Sequence, residues 1–444
     1  MTEPISTEIA EPRYKLGPVM LSAGIRPRNA ITLFYSAMLI IVYITVLNLL
    51  QPFVLYEHLG LPTEVQGNFT GNLYVATELL TLALVVPIGI LSDRIGRRPI
   101  MASAFLFFAV GLALIPLATT AEMLVVFRLI TTLGVACGVV MISSLLADYP
   151  DNKARGKMIS INGVCTGLGI VLIASFGLAQ LPEYFTRQGY APMIAGRYTF
   201  WIAAAISLVT SGIAWAGIKG GRASRHEDKP SMWESMRVGY HEIRHNPKLI
   251  LGCGAIYVSR GDLTVLASFF ALWLVAVGTG QDMTTSDAQA SAGRLFGISQ
   301  IAMIFFTPVA GWLVDRLDRV TTLACAMALA AVGYTALGVV SDPFNNPWMY
   351  PVALLAGMGE AAVIVSAPAL IGQEAPVRVR GSVIGFTAFA GAIGVLVNVK
   401  VSGVIFDAWM YQAPFLYMGG LNLLLCIWAA IVRFKYGAAE RQCD

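Results

Sequence analysis

Long apolar stretches separated by short polar ones run through almost the whole chain, and their lengths predict the elements. Each stretch is close to the roughly 20 residues that an α-helix needs to cross about 30 Å of hydrocarbon. Twelve spans are predicted, at 31–55, 69–92, 98–118, 121–147, 158–181, 197–218, 249–278, 293–314, 321–340, 349–372, 382–406 and 413–434. The expected organisation is a tail (1–30), a six-helix bundle (31–218), a central polar segment (219–248), a second six-helix bundle (249–434) and a short tail (435–444). The fold class expected is an all-α integral membrane protein.

The polar positions between the spans repeat themselves half a chain apart. Gly89–Pro99 reads GILSDRIGRRP and Gly311–Arg319 reads GWLVDRLDR. Arg94 and Arg316 are separated by 316 − 94 = 222 residues, as are Arg97 and Arg319, and 222 is half of 444. A second turn repeats as well: ADYPDNKARGK between spans four and five, QEAPVRVRG between spans ten and eleven, with Arg155 and Arg380 separated by 225. Two halves of like design are what transporters use to build one central site that opens to alternate sides.

The positions of Lys and Arg set the expected orientation. Arg26 and Arg28, then Arg94, Arg97 and Arg98, then Lys153, Arg155 and Lys157, the segment Lys219–Lys248, Arg316 and Arg319, Arg378 and Arg380, and Arg433 and Lys435 all fall on one side. Arg187, Arg197 and Arg294 are the exceptions on the other side. Both termini are therefore expected in the cytoplasm.

Composition agrees with burial in lipid: hydrophobic residues are 57% of the chain, charged residues 13%, and the mean hydropathy is +0.69. That is too little charge to cover a soluble protein of this size. No basic patch interleaved with aromatics points to nucleic acid. The six cysteines show no CxxC spacing, so neither a metal nor a disulfide framework is expected. No nucleotide-binding loop or cofactor motif is present in the sequence, and the compact loops favour a bacterial inner membrane.

With these motifs in place the chain resembles the major facilitator superfamily over essentially its whole length. The GxxxDRxGRR signature between spans two and three is Gly89, Asp93, Arg94, Gly96, Arg97 and Arg98; the second copy keeps Gly311, Asp315, Arg316 and Arg319 but has Asp318 at the glycine position. The resemblance implies twelve helices in two pseudo-symmetric bundles, with Asp93 facing the start of span eleven near Gly381 and Ser382 and Arg97 paired with Asp148. It implies that these contacts latch the halves on the cytoplasmic side and break as the carrier opens inward. Arg128 in span four, followed by Gly134 and Gly138, resembles the superfamily's span-four arginine motif, except that Thr132 stands where a glycine would. The Gly-Pro signature of drug–proton antiporters is missing from span five, whose Gly163, Gly167 and Gly169 read as close-packing positions.

Ionisable residues at bilayer depth are functional candidates because their burial is expensive. They are Arg260 and Asp262 in span seven, Glu360 in span ten, Glu78 in span two and Lys400 in span eleven, the last able to snorkel outward. By the resemblance, spans one, four, seven and ten line the cavity. The expectation is that Arg260 meets an anionic solute or Glu360, while a carboxylate takes a proton. Asn48, Gln51 and Tyr43 of span one are candidate solute contacts, although Gln51-Pro52 also reads as a helix end. His241–His245 reads HEIRH, the pattern of two zinc-binding histidines beside a glutamate base, with His226 as a possible third ligand. It lies in the central segment on an amphipathic stretch, where a basic interfacial helix accounts for the same residues.

The expected function is therefore secondary active transport of a small organic solute by a monomer in the lipid bilayer, proton-coupled and in symport. Proton-driven efflux of amphipathic compounds is the alternative, a flux-free receptor another, and a membrane zinc hydrolase the most distant.

Overall fold

The computed structural model describes residues 14–221 and 232–437. Among them twelve helices are long and apolar enough to cross a membrane. They are Pro27–Leu49, Thr63–Ile95, Arg97–Leu114, Ala121–Asp148, Arg155–Gly169 (continued by a π-turn over Ile170–Ser175) and Pro192–Gly217 in the first half. The second half contains Pro247–Gly280, Thr285–Arg316, Arg319–Val339, Met349–Glu374, Arg380–Ala408 and Ala413–Tyr436. A further helix, Met232–His245, links the halves. With twelve spans, both described ends of the chain lie on one face, the terminal face.

Local chemistry sets the helix ends. Thr120, Asn246, Thr284 and Asp318 each accept a hydrogen bond from a backbone N–H of the turn they precede, and Pro27, Pro192 and Pro247 begin helices where their missing N–H costs nothing. Span one is shorter than the apolar stretch predicted. Its α-helix stops at Leu49, and the chain continues as a short turn over Gln51–Phe53 and a π-turn over Val54–His58. Pro52 has no N–H to continue the ladder. The repeated acidic-basic motif is also not a loop: Asp93 and Arg94 still belong to span two, and the turn is confined to Gly96, whose φ of 99° favours glycine. At the corresponding position Asp318 has φ −62° and caps span nine, so the second copy has no need of a glycine.

Two helix pairs make the most extensive contacts between the halves, with smaller ones from span seven to spans one and two, and the closest approaches lie towards one end. Spans two and eleven approach so closely that a Cβ on Gly403 would lie 2.4 Å from the carbonyl oxygen of Gly67, and one on Gly71 would lie 3.2 Å from that of Val399. Spans five and eight do the same where Gly293 and Gly297 meet Ser175, Phe176 and Ala179. Small residues let backbones approach this closely in lipid. Five helical turns nearer the terminal face (403 − 385 = 18 and 311 − 293 = 18), Gly385 and Gly311 occupy the same helix faces. There a Cβ would meet nothing within 4 Å, and the same holds at Gly89, Gly163 and Gly381. The bundle is shut on the opposite face and parted on the terminal face.

Candidate functional site and relatives

The second half holds two acids inside the bundle. Asp262 of span seven and Glu360 of span ten are each 1% exposed. The Asn422 amide of span twelve donates to both Asp262 oxygens, at 2.9 and 3.0 Å. Gln300 of span eight donates to Glu360 Oε2 at 3.5 Å, while Glu360 Oε1 has no protein partner. Tyr334 of span nine sits in the electrostatic field of both carboxylates. Among the described residues neither acid forms an ion pair with a base.

Arg260 does not supply that base. The expected Arg260–Glu360 pairing is overturned by helix phase. Span seven is continuous through this point, so residues two apart project about 200° apart. Asp262 turns into the bundle, whereas Arg260 is exposed, with its stem against Gly391 and its charge acting on Glu78 of span two. Gly261 does not unwind the helix either. It leaves room for the Asn398 side chain of span eleven.

The first half has the opposite charge. Arg128 of span four is 6% exposed, and its Nε and Nη1 have no protein partner. Its Nη2 donates to Asn48 at 3.5 Å, and Tyr74 of span two lies beside it. Gln51 lines a small cavity next to Arg128 with Leu47, Val54 and Phe200, and its amide donates to Thr70 at 2.8 Å. Tyr43 is packed against Phe105 and Phe108. Asn48, Gln51 and Tyr43 thus all lie within the first half, with Gln51 Oε1 and Tyr43 Oη buried without a protein partner. Glu78, one turn from Tyr74 on span two, is only half-buried.

The contacts that Arg97 makes do not bridge the halves. It donates to Asp148 at 2.9 Å, to Asp93 at 3.0 Å and to Ser92 at 2.9 Å, all within the first half. Arg98 lies over Trp215, Arg94 is exposed, Arg316 stacks on Trp312, and Arg319 donates to the Ala369 carbonyl; Asp315 is exposed. The expected Asp93 contact with Gly381 and Ser382 is not made. At Ser382 the neighbour is Gly239 of the linker helix. That helix also packs Tyr240 on Phe386 and Ile243 into an apolar cluster with Leu249, Ile371 and Val383.

The bridges between halves are on the opposite face, and sequence reading missed the main one. Asp407, at the end of span eleven, accepts from the backbone N–H groups of Gly67 (2.8 Å) and Asn68 (2.7 Å), in the second turn of span two. Lys400 does not snorkel alone; its ammonium donates to Asn68 (2.6 Å) and Asn72. Arg294 of span eight donates to Glu183 (3.1 Å) and Gln180 (3.2 Å) beyond span five, and Arg187 also pairs with Glu183. Two of the three exceptions to the charge rule therefore meet on one acid.

The HEIRH segment is helical as its periodicity predicts. The two imidazoles lie 4.5 Å apart, but His245 Nδ1 is within 2.7 Å of the His241 carbonyl, its own helix backbone. Among the described residues no third ligand joins them, and His226 lies outside the described residues.

The sequence profile of the Major Facilitator Superfamily matches residues 32–399 and 262–442. The chain belongs to the Major Facilitator Superfamily. It is similar to the magnetosome protein MamH of Paramagnetospirillum magneticum, with 27% identity over 92% of this chain and 93% of that one. It is also similar to the class G tetracycline resistance protein of Vibrio anguillarum, with 22% identity over 82% and 88%. Among solved structures, the nucleoside transporter NupG superposes with a TM-score of 0.71 at 14% identity, covering 92% of this chain and 99% of that one. The protein is thus an integral membrane transporter of this superfamily, not an enzyme, and the two buried charge clusters lie inside its two bundles.

Proposed function

We propose that this carrier moves a small organic solute by alternating access and couples that movement to protons in symport. The observation that carries this reading is the pair Asp262 and Glu360, two carboxylates closed inside a bundle with no base among the described residues to balance them. Two bare negative charges are too costly to bury together. Protonation removes that cost, so the packing that leaves both acids 1% exposed is favoured when the site is loaded and disfavoured when it is stripped. The Lys and Arg distribution supports a cytoplasmic terminal face, and the compact loops support a bacterial inner membrane. With that orientation the conformation described is open inward and sealed outward. The two half-chain bundles (31–218 and 249–434) are the rocking bodies, and a monomer suffices. The repeated motif around Asp93 and Arg97 would engage only after the inner mouth closes.

The test uses proteoliposomes with an imposed proton gradient and a solute identified by thermal-shift screening, since a cognate ligand stabilises the state it binds. Glu360→Gln should abolish uphill accumulation and leave downhill exchange within about twofold of wild type. Accumulation unchanged in that variant would remove Glu360 from coupling. A second reading, proton-driven efflux, is favoured by the similarity to a tetracycline resistance protein. Proton-driven loss of solute from the cytoplasmic side would select it.

A further inference from the structure

The acid cluster offers more lone pairs than a proton alone can use. Five spans converge on it: Asp262 from span seven, Gln300 from eight, Tyr334 from nine, Glu360 from ten and Asn422 from twelve. Close backbone contact fixes the convergence. A Cβ on Gly359 would lie 2.6 Å from Ala330 Cα and one on Gly333 would lie 2.9 Å from Ala356 Cα, which sets Tyr334 beside Glu360. Gly419 packs on Thr335 and brings span twelve, with Asn422, to the same level.

Three oxygens in this group are buried without a protein partner: Glu360 Oε1, Tyr334 Oη and Asn422 Oδ1. Their residues are 1%, 0% and 0% exposed. Both Asp262 oxygens accept from the single Asn422 amide nitrogen, which also donates to the Met418 carbonyl, so when ionised Asp262 keeps lone pairs free. A proton on Glu360 would neutralise one acid and add a donor, but it would leave the Asn422 oxygen and one net negative charge unmatched. A bare cation answers both needs.

We infer that this cluster binds a hard monovalent cation of sodium type, held by Asp262, Glu360, Tyr334 and Asn422. The inference rests on the coupled-carrier reading and names its second ion. The donor set is oxygen only, as hard cations require. Among the described residues no three His, Cys, Asp or Glu side chains gather as a transition metal would want. With one carboxylate keeping its proton, one positive charge balances the other. Of nearby charged groups, Arg260 projects away towards Glu78 and does not compete. Sodium and protons would share the same oxygens, so each weakens the binding of the other.

The test measures binding of radioactive sodium to purified wild-type protein in detergent, with choline holding ionic strength constant. The expected result is saturable binding that weakens as pH falls. It should weaken at least about tenfold in Asp262→Asn and in Glu360→Gln, less in Tyr334→Phe, and stay unchanged in Asp282→Asn, an exposed turn control. Monodisperse elution of each variant verifies folding. No saturable binding to folded wild type, or binding indifferent to both acid variants, overturns the inference. In either of those cases a Glu360→Gln variant that still loses proton-driven accumulation keeps the proton reading. Sodium binding without that loss separates the two the other way.

Discussion

Spans two and eleven run antiparallel, and the two ends of the pair make opposite use of the same chemistry. On the opposite face Asp407, at the C-terminal end of span eleven, is seated on N–H groups near the start of span two, and Lys400 ties the same turn through Asn68 and Asn72. On the terminal face Asp93, at the C-terminal end of span two, stands open. A Cβ at Gly381 would meet nothing within 4 Å, Ser382 packs on the linker helix, and Asp93 turns to Arg97 instead. Each end thus offers a carboxylate to the positive end of the other helix, where negative charge is stabilised. Only one of the two is engaged. The difference suggests a carrier that exchanges one latch for the other as it rocks, with the motif around Asp93 forming half of a reciprocal pair.

The largest expected effect comes from reversing the engaged end. Asp407→Lys places a cation against amide donors and should open the opposite face. Thiol labelling of Ser402→Cys, a near-isosteric change at a fully buried position beside the Gly403 seam, should rise at least about tenfold. An unchanged rate would mean that glycine packing alone holds this face. Arg97→Ala acts at the idle end and should do less. It loses pairs with the half-exposed Asp93 and Asp148 and a bond to the buried Ser92 hydroxyl, and the Arg97 side chain itself is 12% exposed, so stability should fall by about 1–2 kcal/mol. Transport should slow a few-fold because Asp93 and Asp148 are no longer held in place. A stability loss of several times that size would make Arg97 a structural tie instead.

The smallest effect is expected from pH on the closed face. His58 lies in the connection after span one, and burial holds its imidazole down at about 4, aided by repulsion from Arg197. A depressed histidine favours the neutral folded form. Its contribution is complete above pH 6.5 and is lost as pH falls towards 4. Thermal unfolding followed between those values should show a slope that His58→Gln flattens, and an equal slope in the variant would assign it elsewhere.

Much of this was legible in the sequence because lipid imposes length and patterning. The twelve spans, the two halves and the Arg97–Asp148 contact all follow from repeated spacing or a known motif. Asp407 was not legible, being one acid in an apolar stretch with no second copy to mark it. The phase of span seven was equally hidden. Arg260 and Asp262 announce a charged helix, but only packing against Asn422 and Gly391 decides which of them faces inward. The loss of glycine at Asp318 was visible without its reason, which is that the second turn needs no positive φ.

The reciprocal closing of the two faces is tested most directly by paired spin labels in a background without native cysteines. One pair, at Arg94 and Arg378, spans the terminal face; the other, at Val65 and Trp409, spans the opposite face. The account predicts a long distance across the first and a short one across the second in the resting protein, with the order reversed in Asp407→Lys. Both distances short, or both changing in the same direction, would contradict it.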